Sequence, residues 1–204
     1  MRRLTLCMLV LAGGALAAAG VATAPAAADT TLKGTITAGK APGVALANAV
    51  VMIHAPAARA ATDAPHARME QRDDAFVPHV LAVAVGTTVD FPNRDDHLHN
   101  VYSASRAKAF DLGMYGKDES KAVTFDKTGV VQIRCNVRPE MEAFVVVHAN
   151  RYAAVTDARG AYTIAGAPPG RHEIRVWHEG HEQHHGWVRV LDGEVTRLDV
   201  RLAH

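Results

Sequence analysis

The sequence predicts an all-β chain built from small β-sandwiches, and three observations lead there. Past the first thirty residues no stretch repeats its apolar residues at helical spacing. Short runs alternate apolar and polar residues instead. Gly, Pro and Asn-rich breaks punctuate these runs at short intervals. Hydrophobic residues make up 49% of the 204 residues, enough to bury a core, but aromatics are only 5%. The core is therefore expected from Val, Ile, Leu and Ala.

Met1-Arg2-Arg3, an Ala/Gly-rich apolar run to about Val21 and Ala26-Ala27-Ala28 read as a secretory signal peptide over residues 1–28. That address implies a periplasmic protein without stable membrane insertion once the segment is cleaved. It also removes Cys7 and leaves Cys135 as the remaining cysteine. A solitary thiol in an oxidising compartment points to a metal ligand, an intermolecular disulfide or a reactive group. Lys+Arg 22 against Asp+Glu 21 gives a formal charge of +1, which argues against a nucleic-acid surface.

Thr31–Thr37 and Ala49–His54 are the first expected strands, and residues 55–68 read as a polar linker. Then come Val80–Val85, Val89–Phe91, His99–Ser103, Lys121–Phe125, Gly129–Arg134 and Ala143–His148. A second set follows: Tyr152–Thr156, Tyr162–Ile164, His172–Trp177, Trp187–Val190 and Thr196–Leu202. Its turns are Asp157-Ala158-Arg159-Gly160, Pro168-Pro169-Gly170 and Asp192-Gly193. The expected organisation is 1–28 signal peptide, 29–64 N-terminal β segment and linker, 65–149 a first sandwich and 150–204 a second. Residues 29–64 have two homes open to them, the first sandwich or the second.

One stretch carries chemistry. A strand ends on Cys135, a tight loop leads to Met141, and another strand leaves. Upstream, Phe91-Pro92-Asn93 runs through Asp95 and Asp96 to His97-Leu98-His99-Asn100-Val101. Imidazole, thiolate and a weak thioether together form the donor set of a blue-copper site. Separately, His99 or Met141 would read as ordinary core residues, and His97 as a solvated loop residue.

From Arg68 to His148 the sequence resembles the cupredoxins, in particular the amicyanin and plastocyanin-like group, through the F-P-N turn, the H-N-V strand start and the Cys-x5-Met loop. The resemblance implies a cupredoxin-like Greek-key β-sandwich, copper as cofactor, and His99, Cys135 and Met141 as its ligands. It makes Asn100 the residue that ties the histidine strand to the cysteine loop. The family's second histidine is Arg138 here, and a guanidinium has no lone pair to offer a metal.

Three readings of the altered site stay open. His97, two residues from His99 on an extended segment, is a candidate replacement ligand. Alternatively copper is held as Cu(I) by the three remaining donors. Otherwise the pocket is metal-free, and Cys135 beside Arg138 is prone to redox chemistry.

Val155–Ile164 and Pro168–Trp177 resemble a carboxypeptidase-regulatory-like or transthyretin-like β-sandwich, with the D-x-x-G-x-[FY]-x-[IL] pattern and a P-G turn. The combination is similar to exported proteins of the methylamine-utilisation type. Within it, His178-Glu179-Gly180-His181-Glu182-Gln183-His184-His185 is dense in imidazoles, and His181, His184 and His185 are candidates for a second metal site. No G-x-S-x-G, H-E-x-x-H or phosphate-binding glycine loop occurs, so an enzyme is not expected. The functional expectation is one-electron transfer or copper carriage with a redox partner or a copper donor or acceptor. The rival is a metal-free, degenerate cupredoxin serving as a structural or partner-binding module.

Overall fold

Alternation along a strand decides which face it buries, and in the computed structural model of the chain it sorts the strands into two pairs of sheets. The structure describes residues 30–40, 42–55 and 66–203. The expected signal peptide and most of the expected linker lie outside them. In chain order the strands are β1 (Thr31–Ala38), β2 (Val44–Ala45), β3 (Val50–His54), β4 (His66–Arg68), β5 (Glu70–Arg72), β6 (Ala75–Val77) and β7 (Val80–Ala84). Next are β8 (Thr87–Pro92), β9 (His99–Ser105), β10 (Lys108–Tyr115), β11 (Ser120–Phe125), β12 (Gly129–Arg134) and β13 (Glu142–His148). The chain ends with β14 (Ala153–Val155), β15 (Ala161–Ala165), β16 (Gly170–Trp177), β17 (His184–Val190), β18 (Val195–Arg197) and β19 (Val200–Leu202). No helix occurs among the described residues, as the absence of helical periodicity predicts.

The first sandwich packs the sheet β10-β9-β12-β13-β7 against β11-β8-β4, with the hairpin β5-β6 alongside. Its core gathers Phe91, Val101, Phe125, Val131, Ile133 and Val145. β4 corrects the linker expectation at its end: His66–Arg68 pairs in parallel with β8. The second sandwich is built around β1, which pairs with β15, β18, β19 and β2. It faces the sheet β14-β3-β16-β17 across a core that includes Leu32, Ile36, Val51, Ile53 and Ile174. Residues 31–54 therefore pair with strands of residues 153–202, and residues 66–148 form the other sandwich between them in the chain. Gly34 permits the closure, because a Cβ there would lie 1.8 Å from the carbonyl oxygen of Leu198.

The two sandwiches meet along a seam. On β13, Ala143, Val145 and Val147 enter the first core, while Phe144 and Val146 join Val50, Val80 and Trp177 in a separate cluster between the sandwiches. A strand buried on both faces needs the near-continuous apolar run that Ala143–Val147 provides. The rings of Phe144 and Trp177 lie 5.2 Å apart, and His79 of the first sandwich reaches Glu179 of the second at 2.8 Å.

Candidate metal centre

His99 opens β9 and is fully buried, so the loop before it decides what its ring meets. Asn93 shapes that loop. Its side-chain amide donates to the carbonyls of His97 (2.9 Å) and Tyr115 (3.1 Å), and its Oδ1 accepts the N–H of Asp95 at 2.9 Å. Tyr115 in turn donates its hydroxyl to Phe91 O at 2.8 Å and accepts from Gln71 Nε2 at 2.7 Å. Burial raises the Tyr115 phenol far above its ordinary range, so it is a fixed donor here.

The Nε2 of His99 lies 2.8 Å from Asp95 Oδ2. Asp95 also accepts the backbone N–H groups of Asp73 (2.7 Å) and Asp74 (3.2 Å). These two form the turn of the β5–β6 hairpin at φ 54° and 56°, a left-handed pair that suits a two-residue hairpin turn. Burial pushes the Asp95 carboxyl upward, but the hydrogen bonds from His99 and from the two N–H groups win, and its pKa falls below the usual value. An ionised Asp95 only accepts, so Nε2 of His99 carries the proton. In a neutral ring the lone pair is then on Nδ1, and Nδ1 lies 3.7 Å from the Sγ of Cys135.

Cys135 follows β12 and is 1% exposed. Asn100 ties the two segments, accepting the N–H of Asn136 on its Oδ1 at 2.6 Å. The loop closes with Met141 N donating to Arg138 O at 2.9 Å. Met141 is buried in the same apolar cluster as Cys135. A thiolate and an imidazole sharing one ion, with bonds of about 2.3 and about 2.0 Å, sit roughly 3.5–3.7 Å apart at tetrahedral to trigonal angles. The observed separation fits that arrangement, and the soft donors fit copper.

Arg138 does not approach as a ligand. Its Nε donates to Asp74 Oδ1 at 3.2 Å, and the Nε2 of His97 lies 2.8 Å from the same oxygen. The hydrogen bond from His97 has the largest influence on the Asp74 carboxyl, and together with the Arg138 contact it holds the pKa below its ordinary value against the cost of desolvation. The His97 ring stands 4.5 Å from that of His99, and one ligand atom each from Asp74, Asp95, His97 and His99 falls within 4.8 Å of the others. Cys135 is not a member of that group. Asp74 and Asp95 were not among the expected site residues, and Asp95 entered the sequence reading only as a neighbour of His97, itself read as a solvated loop residue. For Asp74 the signal available in the sequence is the Asp73-Asp74 pair, a turn-favouring combination.

No curated protein sequence matches the chain. Residues 123–203 match the carboxypeptidase regulatory-like domain family. That stretch starts in β11 of the first sandwich, runs through β19 and leaves out β1 and β3. Solved structures similar to the chain include the Cu-containing nitrite reductase of Thermus scotoductus SA-01, with 26% identity and a TM-score of 0.40 over 48% of this chain and 25% of that one. Amicyanin from Paracoccus versutus (Thiobacillus versutus) is similar at 24% identity, with TM-score 0.39 over 48% of this chain and 97% of that one. A purple cupredoxin from Nitrosopumilus maritimus has 23% identity, with TM-score 0.37 over 40% of this chain and 99% of that one. This chain spans a quarter of the nitrite reductase's length.

The histidine-rich segment falls within the carboxypeptidase regulatory-like stretch, and the structure does not gather its expected second site. His181 Nδ1 pairs with His178 Nδ1 at 2.9 Å, and His178 Nε2 reaches Ala47 O at 3.1 Å. His184 and His185 open β17, where successive side chains point to opposite faces. His185 lies 3.5 Å from Glu173. Among the described residues no three of these side chains converge within metal-binding range.

Proposed function

We propose that the chain is an exported, cupredoxin-like copper protein that transfers single electrons, with His99, Cys135 and Met141 as donors and Arg138 standing where a second imidazole would be expected. The observation that carries this reading is the 3.7 Å approach of His99 Nδ1 to Cys135 Sγ, with the opposite ring nitrogen committed to Asp95. Bound copper would supply one-electron Cu(II)/Cu(I) exchange at this pocket. The protein's share is to orient His99 through Asp95, to fix the cysteine loop through Asn100, and to exclude water from the donors. His99, Cys135 and Met141 are each at most 1% exposed. That burial favours retention of a metal over hand-off to another carrier, so copper carriage ranks second.

The reading treats residues 65–149 as a unit inserted between β3 and β14, with export directed by residues 1–28 and a redox protein as partner. Asp74 neutralises Arg138, which removes most of the repulsion a bare guanidinium would impose on a cation nearby. His97, held by Asp74 at the Nε2 side of His99, serves as a neighbour of the site, and as a ligand only if it exchanges partners.

Metal analysis and absorption spectroscopy of the purified protein under oxidising conditions test the proposal. It expects stoichiometric copper and a strong Cu–thiolate absorption that Cys135→Ser abolishes. Protein lacking stoichiometric copper after reconstitution would favour the metal-free binding module.

A further inference from the structure

The seam between the sandwiches is apolar for most of its length and turns polar at one end. On β13 the residues facing it are Phe144 and Val146, and the next with the same orientation is His148. On β3 they are Val50 and Met52, and the next is His54. On β16 Trp177 faces the seam and Arg175, two residues before it, lies opposite Met52. These ends meet in a cleft of about 270 Å³ that Val130 and Gln183 also line. That is slightly below the roughly 300–1,000 Å³ of most small-molecule sites, so an occupant is small.

His148 is the anomaly of this cleft. It is 8% exposed, and its Nδ1 is buried without a hydrogen-bond partner. The other buried histidines, His99 and His172, are bonded to Asp95 and to the carbonyl of Pro168. Leaving a buried polar group unsatisfied is costly, and native proteins rarely carry one without a reason. Burial also lowers the His148 pKa to about 4, so the ring is neutral at pH 7 and offers one N–H. Arg175 supplies the cation. Glu173 holds its Nε at 2.8 Å, leaving the two terminal nitrogens and offsetting enough charge to disfavour a dianion.

We propose that this cleft binds a small monocarboxylate with an apolar body, the carboxylate resting on Arg175 and the His148 imidazole and the body lying against Trp177, Met52 and Val130. It is independent of the copper centre and concerns a different surface.

The test is titration of the full chain, without copper, with 3-phenylpropionate, followed by calorimetry and by the imidazole NMR signals of His148. Saturable binding that moves those signals is expected. The amine and alcohol analogues, 3-phenylpropylamine and 3-phenylpropanol, should bind about tenfold more weakly or worse, as should the carboxylate to Arg175→Gln. His148→Phe, which removes the polar edge and retains an apolar ring, should also weaken it. The proposal falls if no saturable binding occurs, if the amine binds as tightly as the acid, or if Arg175→Gln binds unchanged. Because the protein is metal-free throughout, none of these results bears on copper.

Discussion

The Nδ1 of His99 faces the Sγ of Cys135 at 3.7 Å because its other nitrogen is fixed 2.8 Å from Asp95. A donor is only as good as its orientation, and outer hydrogen bonds to a ligating histidine set its tautomer and ring plane. Asp95→Ala should therefore weaken Cu(I) binding by about 10–100-fold. Asp95→Asn keeps an acceptor for the Nε2 proton and should lose less. Competition with a Cu(I) chelator measures both. Equal affinity in wild type and Asp95→Ala would remove Asp95 from the site.

Arg138 gives the second prediction. Its guanidinium pairs with Asp74 at the surface, with side chains 41% and 45% exposed. An exposed pair of this kind contributes little, so Arg138→Ala should fold with nearly unchanged stability. Arg138→His adds a donor on the cysteine loop and should tighten copper binding and alter the Cu–thiolate absorption. Urea unfolding and absorption spectra read the two effects separately. Identical spectra for wild type and Arg138→His would show that this position does not face the metal.

Much of this was legible in the sequence, and each miss has its own physical cause. Strong alternation marked β1, β12 and β16, and an apolar run marked β3. β10 went unseen because Gly113 and a register shift between Asp111 and Met114 break its pattern, and most of its residues are at least partly exposed. β5 and β6 are three residues each and carry too little pattern to read. The pairing of His99 with Cys135 was readable from residue types. The clamp on His99 was not, because Asp95 is held by backbone N–H groups 21 and 22 residues away. The home of residues 31–54 depended on β1 meeting β15, β18 and β19, contacts spanning most of the chain. The histidine-rich segment was read from composition alone, and in the structure His181 lies 2.9 Å from His178.

Gly34 provides the third prediction. A methyl group there would sit 1.8 Å from a backbone oxygen of Leu198, and backbone cannot swing aside as a flexible side chain can. The strand carrying Gly34 pairs with β15 on one side and with β18 and β19 on the other, so relief requires opening a sheet. Gly34→Ala should cost about 3 kcal/mol or more, at or beyond the upper end of ordinary overpacking. Gly39→Ala is the control for space, since nothing lies within 4 Å of a Cβ there, although its φ of +80° adds backbone strain. Thermal unfolding should rank Gly34→Ala as the less stable variant.

The last prediction concerns acid. His148 titrates near 4 in the folded protein against 6.5 for a free imidazole, because burial disfavours its charged form. Between those values the unfolded chain binds the extra proton and the folded chain does not. The stability due to the neutral ring is thus fully present above about pH 6.5, declines as pH falls toward 4, and changes no further below it. The shift corresponds to about 3 kcal/mol. Asp74 and Asp95, whose values are depressed, lose their contributions as pH falls below the ordinary carboxylate range, a more acidic window. Urea unfolding of wild type and His148→Phe, each measured near pH 7 and near pH 4.5, separates the histidine from the carboxylates. Wild type should lose stability over that interval more steeply than the variant, and parallel losses would mean that His148 is not buried as a neutral ring.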